Sequence, residues 1–146
     1  MSWATEEMKS WLPTLLSELH RESLKPQGYR KERRTFVRDC GAYKERYNFQ
    51  GSSWNGTGVK WRFYLNVGLE FTDLEPRQIW SYFANTHWAT RIPSVVPEAP
   101  HWWDYSEQTD RAEIKKELAQ LICRASEGLK VEASNIRNRY LAKQRP

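Results

Sequence analysis

Three histidines, His20, His87 and His101, are scattered along the chain. No HExxH pair is present, and no carboxylate pair is spaced to help complete a metal site, which needs three or four ligands in fixed geometry. His20 falls at the end of an apolar-periodic stretch, where an imidazole commonly bonds terminal carbonyls. His87 and His101 flank a proline-rich segment. The two cysteines, Cys40 and Cys123, form neither a disulfide framework nor a zinc pattern, and two free, reduced thiols are expected. Cys40 stands beside Arg38, Asp39 and Gly41; a basic neighbour lowers a thiol pKa, but a lone cysteine in a turn is ordinarily inert. There is no glycine-rich phosphate loop and no nucleophile elbow. No catalytic residue, metal or cofactor is assigned, and the reading is of a protein that is not an enzyme.

Binding chemistry is better represented. The segment KWRFYLNVGLEF, residues 60–71, alternates as a half-buried strand does. Trp61, Phe63, Leu65, Val67, Leu69 and Phe71 share one side, and Lys60, Arg62, Tyr64, Asn66, Gly68 and Glu70 the other. Residues 42–50 alternate in the same way, with Tyr43, Glu45, Tyr47 and Phe49 against Lys44, Arg46, Asn48 and Gln50. If the two segments pair, a basic, amide-rich face results. Its bland reading is a solvated sheet surface; its functional reading is a docking surface for an acidic partner. The expected partner-binding set is Lys44, Arg46, Gln50, Trp54, Lys60, Arg62, Tyr64, Trp102 and Trp103. One member of the pair Trp102 and Trp103 is expected to plug the core and the other to be exposed. Arg91 is expected to reach the sheet as a fixed structural charge.

Those residues need a scaffold. The chain has 146 residues, 39% hydrophobic and 28% charged, with eight tryptophans and a net charge of +5. That is the size and composition of one globular domain, residues 1–146, able to bury a core without staples. No apolar run approaches the roughly 20 residues that span a bilayer. The N-terminus lacks the basic and apolar regions of a secretory signal, so a cytoplasmic location and no membrane association are expected. The NGT triplet at Asn55 therefore carries no glycosylation argument.

Residues 4–20 repeat Met8, Trp11, Leu12, Leu15, Leu16 and Leu19 at helical spacing, with Pro13 inside the pattern as a kink or a first-turn residue. LKPQGY then breaks the helix. Short strands follow at Tyr29–Arg33, Arg34–Asp39, Ala42–Gln50 and Lys60–Phe71, joined by turns at Cys40–Gly41 and through GSSWNGTG. A short helix is expected over residues 72–85, an extended edge segment over His87–Pro97, and a loop over EAPHWWDYSEQ. A long helix starts at Asp110 with Glu113 three residues on. Its stripe is Ile114, Leu118, Leu121, Ile122 and Ala125, a break or bend is expected at Gly128, and Ile136 and Tyr140 continue it. The fold class is α+β: an N-terminal helix, an antiparallel meander of about four to five strands with one face covered by helices, and a long C-terminal helix.

The order of short motifs resembles the bacterial family known as domain of unknown function 4304. The resemblance rests on Leu24, Lys25, Gly28, Tyr29, Thr35, Phe36 and Arg38, then Asn48, Phe49 and Gln50, then Phe63, Asn66 and Gly68, and finally Arg91, Trp102 and Trp103. It covers about residues 8–105. Tyr29 stands where phenylalanine is expected, and the helix after Asp110 lies outside the match. The resemblance implies an α+β fold with an antiparallel sheet and no established activity. Proteins of this style look like immunity proteins encoded beside polymorphic toxins, an association made at the level of family style. The expected function is a protein-binding module, an immunity protein whose partner is an acidic toxin domain. The alternatives are a nucleic-acid-binding domain using the basic sheet face and an enzyme of unrecognised type.

Overall fold

The computed structural model describes residues 2–56, 60–75, 83 and 85–144. Helix α1 runs Ser2–Leu19, through Pro13. Its stripe from Met8 to Leu19 is buried. One π turn, His20–Leu24, and a 3-10 turn, Lys25–Gln27, carry the chain out of it. Gly28, at φ 94, ends that turn in the left-handed region where a side chain is unfavourable.

Strands β1 (Arg30–Glu32), β2 (Thr35–Asp39), β3 (Tyr43–Gly51), β4 (Trp61–Phe71) and β5 (Trp88–Arg91) are antiparallel neighbours in chain order. A sixth strand, β6 (Trp103–Tyr105), pairs with the first part of β4, opposite Trp61, Arg62 and Phe63. The HWWDY stretch therefore contains a strand rather than only loop. The reason is Trp103: its ring stacks on Phe63 at 5.2 Å and its indole N–H donates to Glu117 Oε1 at 2.7 Å. Three residues anchored at both ends suffice for a ladder. Only Trp88–Arg91 of the expected extended segment is strand; Pro93 sits in a 3-10 turn, Ile92–Ser94. The helix expected over residues 72–85 falls mainly on residues outside those described.

Helix α2, Arg111–Lys143, is continuous for 33 residues, so Gly128 does not break it. Val95 lies 3.9 Å from the position a Cβ would take there. Asp110 caps the helix, its carboxylate accepting from the N–H groups of Ala112 and Glu113. Leu118, Leu121, Ile122, Ala125, Leu129, Ala133 and Ile136 are buried. They join α1 and the sheet side bearing Phe49, Phe63, Leu65, Val67 and Leu69 in one core. Glu18 ties the two helices together by accepting from Arg111 at 3.1 and 3.3 Å and from Lys115 at 3.4 Å. The architecture is thus an antiparallel sheet with both helices packed on one face. No helix among the described residues is long and apolar enough to cross a membrane. Cys40 and Cys123 are both free.

Candidate partner-binding surface

The face of the sheet away from the helices divides into a covered half and an open corner. β3 and β4 pair with Lys44 opposite Glu70, Arg46 opposite Gly68, Asn48 opposite Asn66 and Gln50 opposite Tyr64. Lys44 therefore lies against an acid and far along the strand from Lys60, not beside it. Arg46 is only 6% exposed and pairs with Glu70 at 2.5 Å. Gly68 is buried because Phe83 and Thr86 approach it closely: an added Cβ would lie 3.0 Å from Thr86 and 3.2 Å from Phe83. Asn48 donates to Thr35 Oγ1 at 3.0 Å, while Asn66 donates to Asn48 Oδ1 and Gln50 Oε1 at 3.2 Å each. This half is a hydrogen-bonded polar layer that links three strands, although Asn66 Oδ1 and Arg46 Nε find no partner among the described residues. Arg46 has a structural duty here, since it neutralises Glu70 away from water.

The open corner lies at the other end of β4. Arg62 donates from Nε to Asp104 Oδ1 at 2.9 Å, and its guanidinium lies 4.1 Å from the centre of the Trp102 ring. Cross-strand pairing of Arg62 with Asp104 sets that geometry. The indole of Trp102 remains 44% exposed, whereas its neighbour Trp103 is buried. One strand position further on, Arg91 lies 4.1 Å over Tyr64. Arg91 thus reaches the sheet as a fixed charge, and it does so through a ring.

Trp54, 78% exposed, is delivered to the same corner by its turn. Asn55 imitates a strand: its Nδ2 donates to Arg62 O at 2.9 Å and its Oδ1 accepts from Arg62 N at 2.8 Å. Ser52 N–H also donates to Arg62 O, at 2.9 Å. The Gly-rich turn, with Gly56 at φ 99, is pinned to the residue that stacks on Trp102. The structure therefore gathers Trp54, Arg62, Tyr64, Gln50 and Trp102, with exposed Lys60 just before β4. It separates them from Lys44, Arg46 and Trp103.

A second polar cluster escaped the sequence reading. Glu45 points into the core side and is fully buried. Its carboxylate accepts from Tyr29 Oη, from Ser126 Oγ at 3.0 Å and from Tyr47 Oη at 3.4 Å, and pairs with Arg38 at 3.3 Å. Arg38 in turn donates to Ser126 Oγ. The signal was a glutamate in the apolar phase of the alternation Tyr43, Glu45, Tyr47, Phe49. The cluster joins β3 to α2 and to the chain entering β1. Burial, with the Glu45 charge behind it, pushes the Tyr29 and Tyr47 phenols well above their ordinary range. Burial and Glu45 also push the Cys40 thiol up despite Arg38. These surroundings oppose the thiolate form at Cys40. His20 and His87 are structural as well. His20 Nε2 bonds Tyr29 O at 2.8 Å, and His87 is buried with both ring nitrogens bonded. No group of three metal-ligating side chains occurs among the described residues.

An α+β protein with helices on one sheet face and an aromatic, cationic corner on the other is what the geometry defines. A family model described as a domain of unknown function (DUF4304) matches residues 20–127, and the chain belongs to that family. The match extends past the motifs of the sequence reading into α2. No curated protein and no solved structure matches the chain.

Proposed function

We propose that the protein is a protein-binding module, and specifically an immunity protein that neutralises a cognate bacterial toxin domain with an acidic surface. The observation that carries this reading is the corner formed by Trp54, Trp102 and Arg62. Trp102, 44% exposed, carries the Arg62 guanidinium over its ring, and Trp54, 78% exposed, stands on the turn that Asn55 pins to the Arg62 backbone. Trp and Arg are the side chains that most often anchor protein interfaces. Exposing them costs the free protein solubility, and a partner that covers them recovers that area.

The nucleic-acid reading is weaker on the same geometry. Base stacking needs open ring faces, yet a guanidinium lies over one face of Tyr64 and of Trp102. Lys44 and Arg46, which would extend a phosphate track, lie against Glu70.

The test is direct binding of the purified chain to the protein encoded by the neighbouring reading frame, and separately to a single-stranded oligonucleotide, across a salt series. Tight binding to the protein, weakly dependent on salt, is expected. Binding only to the oligonucleotide, with affinity falling by several powers of the salt concentration, overturns the proposal.

A further inference from the structure

A groove runs along the outer edge of the sheet. β5 is the last strand of the order β1-β2-β3-β4-β5, and α2 overhangs it. Between them lie a cavity of about 450 Å³ and one of about 260 Å³ that share Trp88, Ile136 and Arg139. Leu129, Ile136, Arg139 and Lys143 stand at i, i+7, i+10 and i+14, one stripe of a helix. Leu129 to Lys143 spans roughly 21 Å at 1.5 Å per residue. An extended chain covers that distance in roughly six residues at about 3.3 Å each.

The chemistry of the groove is polarised. Trp88, Val95 and Ile136 supply apolar walls in its middle. Arg139 borders both cavities and Lys143 borders the larger one; among the described residues neither makes a hydrogen bond or ion pair. Glu132 borders the smaller one. The His87 ring beside them brings no positive charge: Nδ1 accepts from Phe71 N–H at 2.9 Å, and Nε2 must then donate to Glu75 O at 2.6 Å, which fixes the neutral tautomer.

We propose that this groove takes an extended acidic peptide segment, laid beside β5 as an added strand, with its carboxylates on Arg139 and Lys143 and an apolar side chain against Trp88 and Ile136. The length of the groove, its place at a sheet edge with no strand beyond β5 among the described residues, and its two cations together favour a peptide over a compact anion. The site lies on a different edge from the Trp54–Trp102 corner and does not depend on that reading.

The test is selection of a displayed library of random nine-residue peptides on the full chain, followed by nitrogen-15 NMR titration of an enriched peptide. Enriched sequences should be acidic with interspersed apolar residues, and amide shifts should centre on Trp88–Arg91 and Arg139–Lys143. The Arg139→Glu/Lys143→Glu variant should melt like the parent and bind at least about tenfold more weakly, about 1.4 kcal/mol, while Arg62→Glu should bind as the parent does. The proposal is overturned if no peptide enriches, if the enriched peptides are not acidic, if the shifts lie elsewhere or if the groove variant binds as the parent. It is equally overturned if adenosine monophosphate shifts these amides and no peptide does.

Discussion

Glu45 shows what a single side chain does in this fold. A carboxylate with no solvent exposure is tolerable only when its partners surround it, and here Tyr29, Ser126 and Arg38 do so. Removing it leaves the guanidinium of Arg38 without its carboxylate and the hydroxyls of Tyr29, Tyr47 and Ser126 without that acceptor. Glu45→Ala should therefore destabilise the fold by about 3–5 kcal/mol, the range for breaking a buried pair from one side. Denaturant unfolding measures the loss, and a stability within about 1 kcal/mol of the parent would show that the cluster is not a tie between β3 and α2. Arg62 is the contrast. It carries a charge of the same kind as Arg46, but its partners are on the surface, so Arg62→Asp should leave the melting temperature almost unchanged.

At the scale of elements, His87 ties the end of β4 to Glu75 and to α2. The buried imidazole accepts the Phe71 N–H at the end of β4 and donates to the Glu75 carbonyl, and it packs edge-on with Tyr140 of α2. Leucine at this position fills similar space and bonds to neither group. His87→Leu should cost about 1–3 kcal/mol, the penalty for orphaned buried polar groups. In hydrogen exchange, Phe71 and its neighbours should lose protection while the centre of β4 keeps its own. Unchanged protection at Phe71 would mean that His87 does not hold the end of β4.

Legibility in the sequence also varies by element. α1, β3, β4 and α2 were readable because each repeats its apolar residues at a fixed period for several turns or pleats. β6 was not, since three residues carry no period and Trp103 alone fixes them. Gly128 misled because a glycine costs a helix only about 1 kcal/mol, which packing along 33 residues offsets. The candidate surface was half legible. Alternation identified the outward residues of β4, but cross-strand register decides which neighbours they meet. That register sets Lys44 and Arg46 against acidic or buried surroundings and leaves Arg62 beside Trp102. The residues behind the family resemblance mostly hold the fold: Gly28 caps a turn, Thr35, Asn48 and Asn66 form a hydrogen-bonded row, and Gly68 admits a close approach.

For the whole molecule, buried phenols set an alkaline limit. The unfolded chain ionises its tyrosines near their ordinary value of 10. In the fold, burial, reinforced at Tyr43 by nearby Cys40 and Glu45, pushes Tyr43 and Tyr105 up to about 12 and Tyr29 higher still, and it raises Tyr47 well above its ordinary range. Above pH 10 the unfolded state sheds protons that the native state keeps. Their contribution is complete below that pH, and the share of Tyr43 and Tyr105 is lost as pH rises through about 12. Stability measured by denaturant should fall steadily over this interval, and tyrosinate absorbance should complete its rise only with unfolding. Full tyrosinate absorbance in a still-folded chain would contradict the burial of these rings.

The central claim concerns the whole surface: the Trp54–Arg62–Trp102 corner, and not the covered half of the sheet, meets the partner. The most direct measurement is the affinity of the Trp54→Ala/Trp102→Ala variant for the protein encoded by the neighbouring reading frame, with melting recorded alongside. Both side chains project from the surface, so the variant should melt like the parent while its affinity falls at least roughly tenfold, about 1.4 kcal/mol. A variant that folds and binds as tightly as the parent would contradict the account.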